Sequence, residues 1–203
     1  MASIRFLIPA LVLSISLVPI AYGEEKVNQV TVVDEFKVSK DQLVLVKEFG
    51  ADDAAFKGDN RGNEERVEDK LDRVPPALVE RIVGEFEQRG YKAAPYTDDA
   101  AVAGTLILDG ELDTVNNGSG AARALVGFGA GQAKLIGTIK LFRAEKPDEV
   151  LVQGRVQGTS KGRGGLISAG SMENPTIKNF AINTVDATTG LNRKGKPAEI
   201  REK

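Results

Sequence analysis

The chain has 203 residues with 27 basic and 29 acidic side chains, a formal net charge of −2, and no His, Cys or Trp. Without His and Cys, the sequence excludes Ser-His-Asp and Cys-His catalytic sites, thiolate chemistry, disulfides and ordinary zinc sites. The near-neutral charge argues against a generic nucleic-acid binder, which needs a basic excess. We therefore expect no cofactor and no metal site, and we expect an apolar core to supply the stability.

Residues 1–23 are predicted to be a secretory signal peptide. Arg5 supplies the positive charge, and the apolar run over 6–20 is shorter than the roughly 20 residues of a membrane-spanning helix. Ala21-Tyr22-Gly23 has the small-x-small pattern of a cleavage site. An uncleaved N-terminal anchor is the alternative, and two prolines within the run weigh against it. We expect an exported protein, periplasmic or associated with the outer membrane, that cannot be a cysteine-linked lipoprotein.

Residues 24–190 are predicted to form a single domain, followed by a polar flexible tail over 191–203. Two short β-rich runs, 30–38 and 43–49, come first. Residues 51–73 carry many charges and few large apolar side chains. This composition predicts an exposed charged loop that becomes helical near its end.

A helix is predicted to begin at Pro75-Pro76, since proline is tolerated in the first turn, and to stop at Gly90. Apolar residues recur at helical spacing through this segment, at Leu78, Val79, Ile82, Val83 and Phe86. The charged residues of the segment, which include Glu85 and Arg89, are expected on the opposite, solvated side.

Three strands follow, over 105–115, 133–143 and 150–158, with a hairpin loop at 144–147. A second amphipathic helix is predicted from Asn174-Pro175 to Gly190, with Ile177, Phe180, Ala181 and Val185 on its apolar face. The predicted fold class is α+β. We expect two layers, a mainly antiparallel sheet with two amphipathic helices on one face.

Each of the three late strands carries a glycine between apolar neighbours, at Gly110, Gly137 and Gly154. A four-residue hairpin loop pairs Gly137 with Gly154, and a register between the first two strands that keeps the inward and outward alternation pairs Gly137 with Gly110. We predict a glycine trough that a helix fills through Phe86 or Phe180. The alternative is that the trough is a groove for a small ligand or a sugar.

The same register places Asp109, Glu111 and Asp113 on the outward face, with Asp113 opposite Lys134. Alternate residues of a strand lie about 7 Å apart, so one cation cannot easily use all three carboxylates. We interpret them as a solvated face. A hydrolase that uses Glu111 with a second acid is the least favoured function, because it needs two carboxyls converging on a cleft.

Two Gly-rich segments, 116–132 and 161–170, are the candidate contact loops. The first holds Leu125, Val126 and Phe128 among Gly and Ala, with Arg123, and the second holds Arg163. Long loops are often functional, and exposed apolar side chains can dock on a partner or a membrane surface. The alternative is that they fold back over the core. These five residues are the candidate partner-binding residues.

The late strands and their glycines resemble the bacterial envelope family of unknown function numbered 4410. The resemblance rests on the LILDGEL strand at 106–112, on GFGAGQAKL at 127–135, and on EVLV at 149–152. It covers roughly residues 43–187 and implies a place in the cell envelope, but it supplies no catalytic residues. The arrangement is also similar, at fold level, to curli-secretion-type assembly lipoproteins, an analogy that does not give function.

We therefore predict a non-catalytic exported envelope protein that serves as a binding or assembly and accessory module. Its expected partner is an envelope protein or component that the sequence does not identify, and not a nucleic acid. Peripheral membrane association and self-association are both compatible with the sequence. The alternative function is a small-ligand or sugar-binding module that uses the glycine-lined face.

Overall fold

The computed structural model describes residues 29–32, 36–57, 65–116, 133–160, 175–191 and 194–195. The strands are β1 (Gln29–Val32), β2 (Leu43–Val46), β3 (Ala55–Lys57), β4 (Lys92–Pro95), β5 (Leu106–Asn116), β6 (Lys134–Arg143) and β7 (Lys146–Thr159). The helices are α1 (Glu65–Gln88) and α2 (Pro175–Thr189), with a short 3₁₀ turn at Asp98–Ala100. The predicted signal peptide and most of the predicted tail lie outside the described residues.

The strands form one mixed sheet in the order β1-β7-β6-β5-β2-β4, with β3 also paired to β5. The long strands β5, β6 and β7 are antiparallel, as is β1 against β7. The pairs β2–β4, β2–β5 and β3–β5 are parallel. The α+β class with a mainly antiparallel sheet is confirmed, and each parallel pair includes β2 or β3. Parallel pairing of β2 with β4 needs a crossover, and α1 provides it.

The first helix begins well before the predicted start at Pro75-Pro76, and both prolines lie inside it. The segment 51–73 was predicted as a charged loop that becomes helical near its end. It does contain the beginning of α1, and it also contains β3, which was not predicted. A proline inside a helix removes a backbone hydrogen bond at a cost of about 3 kcal/mol or more. Val74 and Leu78 are almost fully buried around the proline pair. Packing of Val74 and Leu78 in the core therefore outweighs the preference of proline for the first turn of a helix.

Two charged residues predicted to be solvated are instead buried between the helices. Glu85 is 1% exposed and the side chain of Arg89 is 8% exposed. The Arg89 guanidinium donates to Glu85 Oε1 from Nε at 3.1 Å and from Nη2 at 3.0 Å. Its Nη1 donates to the Leu191 carbonyl at 2.8 Å, and Nη2 lies 2.6 Å from Asp186 Oδ1. We call this set the interhelix clamp, because it joins the end of α1 to the end of α2.

Helix α2 agrees with its prediction in extent and in its buried face. It begins at Pro175, and Gly190 follows it with a positive φ of 68°, which glycine adopts without strain. The four residues predicted for its apolar face are buried in the common core: Ile177, Phe180, Ala181 and Val185. Both helices therefore cover the same face of the sheet.

The three predicted glycines lie on that covered face, but they do not form one row. Gly110 pairs with Ile139, which pairs with Gly154, and Gly137 pairs with Leu112 and Val156. Both predicted registers are wrong by two residues. For β6–β7 the reason is that the connection is a two-residue turn followed by register irregularities, whereas the β5–β6 register was not fixed by a hairpin loop. A shift of two keeps the side-chain alternation, so the face was predicted correctly.

Aromatic rings cover two of these glycines. A Cβ atom placed on Gly110 would overlap the Phe49 ring, and one placed on Gly137 would lie 3.3 Å from Phe180 Cζ. Phe49 and Phe180 also meet each other edge to face, with ring centroids 5.8 Å apart. Phe180 was one of the two rings predicted to fill the trough, and Phe49 was not foreseen. The face at Gly110 and Gly137 is thus packed, which removes the basis for a ligand groove there.

Among the described residues, two ionisable groups have a displaced pKa, and one of them, Glu145, lies in the β6–β7 turn. The Glu145 carboxylate accepts hydrogen bonds from its own backbone N–H and from Gly104, and these lower its pKa. A lowered pKa means that this contact favours folding above the ordinary carboxyl pKa and is lost as the pH falls through the lowered value. Carbon-13 NMR titration should place the Glu145 midpoint below that of the same residue in urea-unfolded protein. Equal midpoints would contradict the contact.

Candidate functional site: the loop-bearing end of the sheet

Three chain segments leave the sheet from the same end. Asn116 at the end of β5 pairs with Lys134 at the start of β6, and Lys134 pairs with Thr159 at the end of β7. Lys57, the last residue of β3, also pairs with Asn116. The segments 58–64, 117–132 and 161–174 therefore all connect here. We call this region the loop-bearing end.

The strand ends that carry these segments are held by specific hydrogen bonds. Ala133 N–H donates to Ser160 Oγ, and Ser160 N–H donates to the Ala133 carbonyl, both at 3.1 Å. Both residues are buried. From α2, Asn179 Nδ2 donates to the Thr159 carbonyl at 2.6 Å. A fixed base of this kind suits a binding site built from loops on a rigid scaffold.

The five predicted contact residues belong to two of these segments. Arg123, Leu125, Val126 and Phe128 fall in 117–132, and Arg163 falls in 161–174, so all five lie outside the described residues. Asn116, which was included in the predicted loop, is instead the last residue of β5. The described flanks bring both segments to one end of the sheet, and the roles of the five residues stay a prediction.

On the outward face, Asp109 and Asp113 of β5 pair with cations that lie just after β2 and on β7. Asp109 lies opposite Lys140 in the register, and its Oδ2 is 3.2 Å from Lys47 Nζ. Asp113 Oδ2 is 3.0 Å from Arg155 Nε. The predicted pairing of Asp113 with Lys134 is wrong, because the ladder shifts between Leu112 and Thr114 and leaves Asp113 as the extra residue of a bulge.

These acids share a shallow depression of about 300 Å³ with polar neighbours, lined by Asp109, Gly110, Glu111, Asp113, Thr138, Lys140 and Gln153. The carboxylates of the least favoured hydrolase hypothesis thus do share a surface. Two of them, Asp109 and Asp113, are in ion pairs across the sheet. Within the described part of the chain, no group of three or more potential ligands is arranged to hold a metal ion.

A second depression, of about 510 Å³, lies between α1 and the edge strand β4. Its floor is largely apolar, from Val46, Pro76, Val79, Val83, Pro95 and Tyr96. Glu48, Glu80 and Glu87 also line it. We call it the acidic groove. The sequence reasoning missed it because the Lys-Ala-Ala-Pro segment of β4 has no β-branched or alternating pattern that would indicate a strand.

Tyr96, which lines this groove, is the other described group with a displaced pKa. Its hydroxyl donates to Asp98 Oδ1 at 3.0 Å, and this hydrogen bond raises the pKa of the phenol. Lys47 Nζ lies 5.5 Å from the centre of the Tyr96 ring, within the range of a cation–π contact.

None of the described helices is both long and apolar enough to cross a membrane.

A family model described as domain of unknown function 4410 matches residues 44–165. No curated protein matches the chain in sequence. Two structures of the PelC dodecamer from Paraburkholderia phytofirmans, one of them a point variant, are each 12% identical with a TM-score of 0.44. They cover 77% of this chain and 98% and 97% of their own chains.

A third solved structure is a homolog of a neuraminyllactose-binding hemagglutinin from Helicobacter pylori. It is 12% identical with a TM-score of 0.31, over 81% of this chain and 90% of its own. Structural similarity at this level supports no conclusion about function.

Proposed function

We propose that this chain, which belongs to the family described as domain of unknown function 4410, is a non-catalytic binding or accessory module of the cell envelope. Its contacts are made at the loop-bearing end. One observation carries the proposal: Asn116, Lys134 and Thr159 lie in one row of the sheet. The two Gly-rich segments are therefore attached to neighbouring strand ends of the sheet.

The predicted signal peptide at residues 1–23 supports the location in the envelope. Its charged start, apolar run and small-x-small end are the three parts that export recognition requires. The lack of cysteine leaves no residue for a lipid-linked N-terminus. We propose a periplasmic protein, or one held at the outer membrane by its partner.

The composition of the two segments supports contact with another macromolecule. Aromatic and Arg side chains, with apolar neighbours, supply most of the energy in typical protein interfaces. Leu125, Val126 and Phe128 provide the apolar part, and Arg123 and Arg163 provide the cationic part. The partner surface should therefore offer an apolar patch with acidic groups near it.

Replacing Leu125, Val126 and Phe128 together by Ser should abolish partner capture with little change in thermal unfolding. The reason is that interface side chains are expected to contribute to binding and not to the core that the described strands and helices form. The measurement is cross-linking of the exported protein in its native envelope, with mass spectrometry of the products. Mixed cross-links identify a partner protein, and products at multiples of the chain mass identify self-association.

A matched control is Val102→Ser. Val102 is a large exposed hydrophobic residue, 58% accessible, and it precedes the start of β5 at the other end of that strand. It should leave capture unchanged, because one exposed aliphatic far from the loops is replaced. Two results would contradict the proposal: capture that survives the triple change, or a triple variant that unfolds at a much lower temperature because the three side chains belong to the core.

A further inference from the structure

We propose that residues 24–28, the predicted start of the mature chain, continue β1 along β7 and bring the N-terminus to the loop-bearing end. The surface that receives them is the edge of β7 over residues 156–159. This inference does not rest on the proposed function, because it concerns only how the chain pairs with itself. It rests on the register of β1, the direction of the backbone groups of β7, and the position of two asparagines on α2.

The described pairing of β1 with β7 ends before β7 does. Gln29, the first described residue of β1, lies opposite Arg155. β7 continues beyond this pair to Thr159, and over that stretch it stays paired with β6 on its other side. An unchanged register places Glu25 opposite Thr159. A continued strand therefore reaches the end of β7 at the second residue of the predicted mature chain.

The backbone of β7 presents its hydrogen-bonding groups on the side that β1 occupies. Ser160 N–H donates to the carbonyl of Ala133, the residue just before β6. Successive residues of an antiparallel ladder alternate in direction, so Gln157 and Thr159 point their N–H and C=O groups away from β6. Arg155, two residues before Gln157, pairs with β1. The backbone groups of Gln157 and Thr159 are thus aligned with those that β1 already uses.

Two asparagines of α2 confirm this direction. Asn183 Nδ2 donates to the Gln157 carbonyl at 2.7 Å. Asn179 Nδ2 donates to the Thr159 carbonyl at 2.6 Å. The asparagines reach these oxygens because the oxygens do not point into the β6 ladder. A carbonyl oxygen has two lone pairs, so each can also accept a hydrogen bond from a strand N–H.

The residues that precede β1 suit an edge position beside these asparagines. In the same register Lys26 comes opposite Gly158, and Asn28 comes opposite Val156. Val156 and Gly158 lie on the face that α2 covers, so Lys26 and Asn28 belong to that face as well. Their polar side chains match the asparagine-lined flank of α2. A charge directed inward from an edge strand also protects the sheet against pairing with other chains.

The consequence is a fourth chain segment at the loop-bearing end. Predicted cleavage after Gly23 leaves Glu24 as the first residue. The register places Glu24 opposite Ser160, where the segment 161–174 begins. A free amino group and two glutamates, Glu24 and Glu25, thus lie beside that segment. A precursor that keeps its signal peptide would carry an apolar run at the same place.

Nuclear Overhauser effects between backbone Hα atoms test the register directly, because these protons approach closely across an antiparallel pair that is not hydrogen-bonded. The sample is the exported protein, with Glu24 identified as its first residue by mass spectrometry. We expect an Hα–Hα contact between Lys26 and Gly158. The described pair of Val30 and Gly154 provides the reference contact.

Two proline substitutions separate pairing from mere proximity. Val27→Pro removes an N–H that the register directs at β7. It should abolish the Lys26–Gly158 contact and raise the hydrogen-exchange rate of the Thr159 amide. Asn28→Pro is the matched control, because the N–H of residue 28 points away from β7, where an edge strand tolerates proline. It should leave the contact and the exchange rate unchanged.

Four results would overturn the inference. The Lys26–Gly158 contact could be absent while the reference contact is present, which would mean that the asparagines of α2 close the edge of β7. The two prolines could have the same effect. In a mixture of isotope-labelled and unlabelled chains the contact could prove intermolecular, which would make the strand one exchanged between two copies. The exported protein could also retain residues 1–23, so that its N-terminus lies elsewhere.

Discussion

Replacing Arg89 by Ala should lower the free energy of unfolding by about 3–5 kcal/mol, the range found when one partner of a buried ion pair is removed. The change leaves the Glu85 carboxylate, 1% exposed, without its described guanidinium partner. It also removes the donor to the Leu191 carbonyl and the cation beside Asp186. Denaturant unfolding monitored by circular dichroism measures the loss directly, provided that the m-value is unchanged.

The pair Arg89→Met with Glu85→Leu provides the decisive comparison. Well-packed apolar replacements of a buried ion pair are often neutral or stabilising, so the double variant should recover most of the loss. Lys146→Ala breaks an exposed pair with Glu149, whose side chains are 62% and 53% accessible, and should cost less than about 1 kcal/mol. If Arg89→Ala behaves like Lys146→Ala, the interhelix clamp does not hold the helices together.

The clamp also shows what the sequence could and could not predict. The apolar face of α1 was read correctly, because its residues repeat at helical spacing. Glu85 and Arg89 continue the spacing of Leu78 and Ile82, so position along the helix did indicate burial. The charges of these two side chains favoured a solvent-exposed position, and the prediction that followed this criterion was wrong. Arg89 is buried because a partner four residues away and the end of α2 satisfy it together.

The strand prediction was limited by pairing rather than by the strands themselves. The three long strands and α2 were identified because alternation and helical periodicity are local signals. Register depends on the turn and on irregularities, such as the bulge at Asp113, that no local pattern indicates. Parallel pairing of β2 with β4 depends on a crossover through α1, and β4 itself is short and lacks a strand pattern. The acidic groove was missed for the same reason.

The two ends of α2 connect the stability of the fold to the proposed function. At its C-terminal end the interhelix clamp fixes α2 to α1. At its N-terminal end it rests on β7 and holds the Thr159 carbonyl through Asn179. Residues 161–174 run from β7 to α2, so a displaced helix would also displace one of the predicted contact segments. The packing of α2 against β7 is therefore the second contact whose disruption should strongly reduce the stability of the fold.

Gly158→Ala should destabilise the chain by about 3 kcal/mol, the upper end of the range for inserting a methyl group into a packed core. A Cβ atom there would overlap the Thr176 carbonyl oxygen, lie 2.6 Å from Phe180 N and 2.7 Å from Phe180 Cβ. Backbone atoms cannot rotate away as a flexible side chain can, so α2 must move as a whole. Denaturant unfolding gives the loss, and hydrogen exchange should show reduced protection in the first turns of α2.

Gly84→Ala is the matched control, because beyond the local helix backbone no described heavy atom lies within 4 Å of the added methyl group. In the interior of α1, alanine is a better helix former than glycine by about 1 kcal/mol, so this variant should be more stable than the parent. If Gly84→Ala raises the free energy of unfolding and Gly158→Ala lowers it, the loss at Gly158 is due to the close approach of α2 and not to the removal of a glycine as such. A Gly158→Ala variant as stable as the parent would mean that α2 does not lie against β7 at this position.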